Sequence, residues 1–501
     1  MSGRTPQSAA LPVLVDVPDQ FAPRATWVLQ TLFAAGGTRL RVERDPSRAT
    51  ECALAYAAVP LADVPTLGLS VAALELFDKQ APLPRDSFAA HETSAGRLVG
   101  AFPCPDERFV APFDVVASAF VLLACWDELT RTQRDLHGRL PYANSTFATN
   151  AALQIERPAV DGYARLVEAA AGERLAALGL PPLSRPDWRA EGENTPARFA
   201  VALTHDLDNL WRWTSGGLRA SARHSARGLR QRRFEPLAEE ARDVYNWLTR
   251  HLPQGTDPYW TFPQIIGGED ERGVSSTFFA LASHSRRDFT QPLAYRRRLP
   301  AALHLLTQSG REVGLHGSDR DRTSLANLEE DRQSLAQRAG VPVGGMRYHY
   351  LRCLYHETLP LLDEAGFDYD SSMAFAEREG CRCGFSFPFH PYDTQHEKPL
   401  RLVELPLLLM DTGLADPQYR GLDANEAWQA GIDVLQRVRD SGGAAAILWH
   451  NSRFDPSASH GYDKVYWDLL QWTRAEYGFA GPAGEVVRRW RKRCGEGELA
   501  S

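Results

Sequence analysis

Short apolar segments, separated by segments of helical length, fill the second half of this chain. The apolar segments are about four to eight residues long and bounded by glycine, proline or polar residues, which is typical of buried strands. Strands spaced in this way alternate with helices. The pattern predicts the following strands after residue 197: Phe199–Asp206, Ser276–Ala282, Glu312–His316, Gly345–Tyr350, Phe367–Met373, Leu402–Leu409 and Ala444–His450.

Strands that alternate with helices predict a parallel sheet, which is either closed into an α/β barrel or open and doubly wound. The positions of polar residues favour the barrel. His316, Arg347, Asp411, His450 and the segment 205–208 all fall at or just past the predicted C-terminal ends of strands. Barrel enzymes carry their chemistry on that face. We therefore expect a (β/α) barrel with seven strands.

The first part of the chain predicts a smaller α/β domain. Its clearest predicted helices span about Phe113–Arg134 and Val160–Leu178. The proline-rich segment Leu180–Pro186 and the polar segment Glu191–Pro196 are typical of a linker. The predicted organisation is an accessory domain over residues 1–180, a linker over residues 181–197 and the barrel over residues 198–490.

The overall composition limits the kind of protein. A chain of 501 residues is too long for one ordinary core, and roughly two to three domains are expected. A hydrophobic content of 44% and a charged content of 24% are typical of a soluble globular protein, and the net charge of −7 argues against nucleic acid as a partner of the whole molecule. The chain has no apolar run of about 20 residues, its N-terminus lacks a signal-peptide pattern and its seven cysteines are scattered, so we expect a cytoplasmic location.

Two acidic side chains lie at the end of the first predicted barrel strand. Because alternate residues of a strand share a face, Asp206 and Asp208 should point to one side and His205 to the other. Carboxylates at this spacing allow one to bind a metal while the other serves as a base. His316 and His450 end two other strands, so two carboxylates and two imidazoles predict a divalent-metal site that also moves protons.

The fourth predicted strand ends with Arg347 and His349 on one face. An arginine that faces a carboxylate keeps it ionised and oriented, and a solvated salt bridge at the rim is the alternative. His450 is either a hydrogen-bonded core residue or, because polar residues follow it directly, a residue of the rim. The aromatic residues beside these positions are the predicted substrate-binding residues: Tyr348, Tyr350 and Trp449.

Together these segments resemble the polysaccharide deacetylase superfamily, the NodB-homology or carbohydrate esterase family four fold, over about Phe199–Arg489. Thr204–Asp208 resembles the first motif of the family, a threonine followed by two aspartates. Gly310–His316 resembles the turn and strand that bear the metal histidine. Arg347–Tyr350 stands where the family has arginine, any residue, proline and tyrosine. Ile447–His450 resembles the closing leucine-x-histidine motif.

This resemblance implies a distorted seven-stranded (β/α) barrel preceded by the smaller α/β domain. It implies a metal-dependent carbohydrate de-N-acetylase that acts on an acetylated sugar or glycan precursor. The enzyme would hold one divalent ion, and zinc is the expected metal. It also implies roles for single residues: Asp206 as the general base, Asp208 and His316 as metal ligands, Arg347 as the residue that orients Asp206, and His450 as the general acid.

The chain departs from the family pattern at the second metal histidine, which the family usually places four residues after the first. Arg320 stands at that position. The candidates for a third ligand are Asp319, three residues after His316, and His349, which replaces the family proline, with His205 ranked behind them. A chain without a third ligand would instead be a metal-free carbohydrate-binding or scaffold protein on the same fold.

Two features lie outside these motifs. Phe113–Ala117, Trp126–Leu129 and Asp135–Leu140 resemble the uncharacterised domain that precedes some bacterial deacetylase-like domains, and this resemblance implies no chemistry. Between Asp208 and Glu235 the chain has seven arginines and no acidic residue. We expect this insertion, at residues 212–233, either to meet an anionic ligand or to form a solvated helix.

Overall fold

The computed structural model describes residues 10–190, 192–212, 257–282, 292–456 and 459–496, together with residue 245. Strands of the N-terminal part are β1 Leu11–Asp16, β2 Leu40–Glu43, β3 Leu54–Ala57, β4 Thr66–Gly68, β5 Ala89–Thr93 and β6 Gly96–Gly100. Strands of the C-terminal part are β7 Phe199–Leu207, β8 Thr277–Leu281, β9 Glu312–Gly317, β10 Gly345–Tyr348, β11 Tyr369–Asp370, β12 Tyr392–Asp393, β13 Lys398–Pro399, β14 Val403–Glu404, β15 Leu407–Met410, β16 Ala444–Leu448 and β17 Gly478–Gly481.

The described helices follow the same two-part division. The first part contains α1 Ala22–Ala34, α2 Val71–Asp78, α3 Val115–Leu123, α4 Trp126–Thr130 and α5 Ala159–Gly172. The second part contains α6 Phe262–Glu271, α7 Pro292–Gln308, α8 Leu325–Ala339, α9 Tyr355–Glu364, α10 Asp411–Ala415, α11 Ala424–Ser441, α12 Tyr462–Ala475 and α13 Ala483–Arg493. Short 3₁₀ turns span Pro46–Glu51, Tyr142–Asn144, His349–Leu351 and Asn451–Arg453.

The N-terminal domain is built on a parallel sheet in the order β2-β1-β3-β4, beside an antiparallel β5–β6 hairpin. The carboxylate of Asp114 caps α3 by accepting from the backbone N–H of Ala117 at 2.8 Å. The single helix predicted over Phe113–Arg134 is wrong. Cys125 adopts a left-handed φ of 44°, which interrupts helical hydrogen bonding and separates α3 from α4.

The second sheet has the strand order β14-β11-β10-β9-β8-β7-β16-β15, with every pair parallel, and β17 pairs with the first half of β7. β7 is buried along its whole length, and α11 and α13 pack against it. Strands covered on both faces become nearly continuous apolar runs, which is the pattern that the sequence shows. The curled parallel sheet confirms the predicted α/β architecture with a smaller domain before it.

A bend in the chain brings the two edges of this sheet together. β14 and β15 lie at opposite edges, although only Leu405 and Pro406 separate them. The N–H of Leu405 donates to the carbonyl of Asp370 at 2.8 Å, and the carbonyl of Pro406 accepts from the N–H of Ala446 at 2.9 Å. The single strand predicted over Leu402–Leu409 is therefore wrong. Pro406 has no N–H to donate to a neighbouring strand, and its position between β14 and β15 does not require one.

The N-terminal domain packs directly on the barrel. A continuous apolar core runs through both parts. Trp188, in the predicted linker, is fully buried, and its indole N–H donates to the carbonyl of Gly442 at 2.9 Å. Nη1 of Arg489 donates to the carbonyl of Trp188 at 2.7 Å. The linker segment is thus part of the packed structure, and the boundaries at residues 181 and 197 stay predictions.

The seven cysteines are all buried free thiols. Within the described ranges, the chain has no helix that is both long and apolar enough to cross a membrane. Of the arginine-rich insertion at residues 212–233, only Arg212 is described, and the other arginines lie outside the described residues. The anionic ligand expected there stays a prediction.

Candidate active site

The C-terminal end of β7 brings two carboxylates to one side of the sheet. Asp206 is buried, and its Oδ1 lies 3.1 Å from Nη1 of Arg347 on β10. Asp208 follows just past the strand and faces the same side. His205 points the other way, with Nε2 3.3 Å from Oε1 of the buried Glu269. Because side chains alternate along a strand, His205 lies on the opposite face of the sheet from the two aspartates.

Asp208, His316 and His349 form a cluster that could hold a metal ion, since one ligand atom from each lies within 4.8 Å of the others. Oδ1 of Asp208 lies 3.0 Å from Nε2 of His316 and 3.7 Å from Nε2 of His349. His316 comes from β9, and His349 from the turn directly after the neighbouring β10. A carboxylate and two imidazoles are a donor set of catalytic zinc sites, so these residues fit a divalent ion.

A backbone contact determines which nitrogen of His316 faces the metal-ligand cluster. Nδ1 lies 2.9 Å from the carbonyl oxygen of Arg347. Because a carbonyl can only accept, Nδ1 carries the hydrogen, and Nε2 of a neutral ring has its lone pair for a metal. Burial would lower the pKa of His316, but the carboxylates of Asp206 and Asp208 outweigh burial and raise that pKa above its ordinary value.

Arg347 is fully buried and held from several sides. Its Nε and Nη2 donate to the carbonyl and the hydroxyl of Ser371, at 2.8 Å and 2.9 Å. Its Nη1 donates to the hydroxyl of Thr204 at 2.7 Å as well as to Asp206. The planar fork has one geometry that satisfies these acceptors together. Arg347 is therefore a buried partner of Asp206 and does not form the solvated rim salt bridge that the sequence left open, and its role in orienting Asp206 stays a prediction.

His450 pairs with Asp411, the first residue of α10. Nδ1 of His450 lies 2.6 Å from Oδ1 of Asp411, and its Nε2 lies 3.4 Å from Oδ2 of Asp208. Burial would lower the pKa of His450, but Asp411 and Asp208 outweigh burial and raise it well above the ordinary value. Burial would likewise raise the pKa of Asp208, but His349 and His450 hold it well below the usual range. The neighbouring opposite charges thus move the pKa of His450 up and that of Asp208 down.

The three aromatic residues predicted to bind substrate differ in exposure. The rings of Tyr348 and Trp449 are fully buried, and the indole N–H of Trp449 donates to the carbonyl of Tyr462 at 3.0 Å. Tyr350 has 41% of its surface exposed and lies against the ring of His349. Tyr350 is therefore the exposed member of the three, and the other two lie in the core. Substrate contacts of Tyr348, Tyr350 and Trp449 stay predictions.

The other candidate ligand lies outside the metal-ligand cluster. Oδ1 of Asp319 lies 3.8 Å from Nη1 of Arg352. Arg320, which stands at the position of the second family histidine, pairs with Glu330 on α8. Among the described residues, His349 is the third member of the cluster. The sequence left this choice between Asp319 and His349 open.

Sequence reasoning assigned no role to Asp411, Ser371 or the hydroxyl of Thr204. For Asp411 a signal was present, since it directly follows the apolar strand β15 and so lies at the functional face. Ser371 contacts Arg347 through its backbone as well as its hydroxyl, and no sequence pattern predicts such a contact.

Comparison with known protein families gives a match in the N-terminal part of the chain. Residues 13–174 match DUF7033, a family of unknown function. This match confirms the expected uncharacterised domain before the barrel. A search of curated proteins found no match to the chain.

Several solved structures are similar to the chain. A protein from Mycobacterium smegmatis described as a polysaccharide deacetylase is 19% identical, over 63% of this chain and 98% of its own, with a TM-score of 0.40. The allantoinase Puue is 14% identical, over 64% of this chain and 96% of its own, with a TM-score of 0.40. A carbohydrate esterase family 4 pseudoenzyme from Bacillus anthracis is 11% identical, over 57% of this chain and 65% of its own, with a TM-score of 0.29. The similar structures thus include polysaccharide deacetylases and proteins of carbohydrate esterase family 4.

Proposed function

We propose that this protein is a metal-dependent hydrolase that removes an N-acetyl group from a sugar or glycan precursor. The observation that carries the proposal is that candidate metal ligands, a candidate base and a candidate acid lie together around Asp208. His316 and His349 lie beside it as further ligands, Asp206 lies next to His316 with Nε2–Oδ2 at 3.8 Å, and His450 faces its second oxygen. A protein that only binds carbohydrate has no need of this acid–base set, whereas amide hydrolysis uses every member.

Asp208, His316 and His349 would hold the ion, and zinc suits this set of nitrogen and oxygen donors. A bound divalent ion supplies Lewis acidity, which polarises a carbonyl group and lowers the pKa of water. The protein supplies the orientation of its ligands. Because the carbonyl of Arg347 accepts from Nδ1 of His316, the His316 ring cannot turn its other nitrogen towards the ion without losing that hydrogen bond.

Asp206 and His450 divide the proton transfers. Asp206 is held at Oδ1 by Arg347, which leaves Oδ2 to accept the proton of the attacking water. Asp411 raises the pKa of His450, which favours its protonated form, and Nε2 of His450 lies on the side of Asp208, where it can donate a proton to the departing amine. An amine is a poor leaving group unless it is protonated, so a hydrolase of amides needs such an acid. The motifs of the sequence support an acetylated sugar as the substrate class.

Acetate release from N-acetylglucosamine, its β-1,4-linked oligomers and UDP-N-acetylglucosamine tests this proposal. We expect the zinc-loaded protein to release acetate from at least one of these sugars, and we expect the chelated protein to release none. Asp206→Asn should bind zinc and release acetate about 10²–10⁴-fold more slowly. Turnover that survives chelation would contradict a role for the metal. Sugar binding without acetate release or zinc uptake would support the alternative of a metal-free carbohydrate-binding protein.

A further inference from the structure

The turn that follows β10 has a strained backbone. His349 begins this turn, and Tyr350 and Leu351 after it adopt left-handed φ angles of 58° and 53°. The left-handed conformation is unfavourable for a residue with a Cβ. Two such residues in succession persist only when surrounding contacts hold them. Whatever holds this turn therefore also places the imidazole of His349.

Aromatic rings connect the turn to the N-terminal domain. The ring of Tyr350 stacks on the ring of His349, with centroids 3.9 Å apart and planes at 25°. The ring of His137, from the N-terminal domain, stacks on Tyr350 with centroids 4.6 Å apart and planes at 14°. Arg352 lies 4.9 Å from the centroid of Tyr350, and its Nη2 lies 3.3 Å from Nδ1 of His137. A continuous row of rings thus runs from the N-terminal domain to a candidate metal ligand.

A hydrogen bond to the backbone reinforces this contact. Nη1 of Arg139 donates to the carbonyl of Tyr350 at 2.7 Å. The guanidinium is buried, and its Nε donates to Oδ2 of Asp135 at 2.8 Å. Oδ1 of Asp135 accepts from the backbone N–H groups of His137 and Arg139, at 2.8 Å and 2.9 Å. Gly138 between them has a φ of 78°, which a residue without a Cβ adopts freely. The loop 135–139 is therefore preformed.

Glu128 in α4 contacts the barrel at the other end of the segment 350–355, which begins at Tyr350. Its Oε2 accepts from the N–H of Tyr355, the first residue of α9, at 2.7 Å. Its Oε1 pairs with Arg382 at 2.6 Å, and both side chains are buried. Removing one partner of a buried ion pair is strongly destabilising, so this anchor is firm. The N-terminal domain therefore contacts the segment 350–355 at both of its ends.

We infer that the N-terminal domain positions the third metal ligand, with Arg139 and His137 as positioning residues that act on His349 through Tyr350. This inference rests on the proposed function, because that function makes His349 a ligand. All of the N-terminal residues involved lie within residues 13–174, so the inference assigns a task to the domain of unknown function in this chain. The segments Trp126–Leu129 and Asp135–Leu140, which suggested no chemistry as sequences, supply these contacts.

The zinc affinity of the full chain, measured by competition with a chromophoric chelator, tests the inference. Arg139→Ala and His137→Ala should weaken zinc binding by roughly 10–100-fold, the usual loss when the support of a metal ligand is removed. Arg139→Lys should recover part of the affinity, because an ammonium group still donates to the carbonyl of Tyr350. Arg24→Ala is the matched control. It removes a different arginine contact from the N-terminal domain to the barrel, the pair with Glu397 at 2.5 Å, and should leave zinc affinity unchanged.

The zinc affinities of the wild type and these variants distinguish failure of the inference from failure of the proposed function. Unchanged affinity in Arg139→Ala and His137→Ala would overturn the inference and leave the proposed function standing. Equal weakening by Arg24→Ala would also overturn it, because the loss would then reflect looser packing of the domain. If the wild type takes up no zinc, the proposed function and the inference fall together. His137 is half-buried, so His137→Ala decides the point if Arg139→Ala does not fold.

Discussion

Asp411 holds His450 at two points, because its Oδ1 lies 2.6 Å from Nδ1 and its Oδ2 accepts from the backbone N–H at 3.0 Å. The carboxylate is fully buried, so water does not compete for these bonds. Because Nδ1 faces a carboxylate, it carries a hydrogen, and Nε2 is directed to Asp208. The contacts with Asp411 favour the protonated form of His450 and direct its Nε2 towards Asp208.

Replacing Asp411 by asparagine should change the pH dependence of the reaction. The variant loses the negative charge that raises the pKa of His450, so that pKa should fall. The proposed acid role requires a protonated His450, so the alkaline limb of the kcat/KM profile should move to lower pH. Asp433→Asn, an equal charge change at an exposed position on α11, should leave the profile unchanged. Superimposable alkaline limbs for the wild type and Asp411→Asn would show that His450 is not the acid.

Asp206→Asn should separate metal binding from turnover. The amide keeps the shape of the carboxylate and still accepts from Arg347, but it cannot take a proton from water. We expect turnover to fall about 10²–10⁴-fold while zinc binds with its normal stoichiometry. The measurements are kcat and the zinc content of the purified variant. Near-normal turnover would assign the base to another residue.

Lysine should replace Arg347 poorly. The guanidinium donates to Thr204, Asp206 and Ser371 at once, whereas an ammonium group on a flexible stem cannot reach all of these acceptors. A misplacement of about 1 Å in a catalytic group lowers the rate about 10²-fold, and we expect a loss of that order in kcat/KM for Arg347→Lys. Urea unfolding should also show a loss of about 1–3 kcal/mol, because buried acceptors are left without donors. If both quantities stay at wild-type values, Arg347 does not orient Asp206.

Asp161 makes the stability of the protein depend on pH. It is buried in α5, and its Oδ1 accepts from the N–H of Ser386 in the barrel at 2.9 Å. Burial raises the pKa of Asp161 to about 6. The folded protein therefore binds this proton more tightly than the unfolded chain does. The resulting stability is present below the unfolded pKa of about 3.9 and is lost as the pH rises to about 6.

The variant Asp161→Asn is neutral and should lack this dependence. From about pH 4 to about pH 7, the free energy of unfolding of the wild type should fall relative to that of the variant by on the order of 3 kcal/mol. Urea unfolding of both proteins at several pH values gives this difference. A difference that stays constant with pH would mean that the Asp161 carboxyl titrates normally in the folded state.

Much of the site could be predicted because its residues obey local rules. Asp206, Asp208, His316 and Arg347 lie on strands or just past them, where side chains alternate between two faces. The C-terminal ends of neighbouring parallel strands meet at one edge, so residues that are distant in sequence come together there. The sheet in the structure brings these four residues within reach of one another.

The remainder depends on contacts that no local pattern contains. The sequence left the third candidate ligand open because His349 lies past the strand, in a turn with two left-handed residues that tertiary contacts must hold. The bend at Pro406 divides a segment that appears to be one strand in the sequence, since an apolar run gives no sign of where a strand changes neighbours. The left-handed residue Cys125 likewise divides a segment that appears to be one helix. The contact of Arg139 with Tyr350 joins residues far apart in the chain.

The central claim is that Asp208, His316 and His349 hold one divalent ion, and a zinc-binding isotherm tests it most directly. We predict one zinc ion per chain for the wild type. His349→Ala should weaken binding by more than the roughly 10–100-fold that follows loss of a ligand's hydrogen-bond partner. Asp319→Ala, which removes the other candidate ligand, should bind zinc as the wild type does. Absence of zinc uptake by the wild type, or a loss of affinity in Asp319→Ala with normal binding in His349→Ala, would contradict the account.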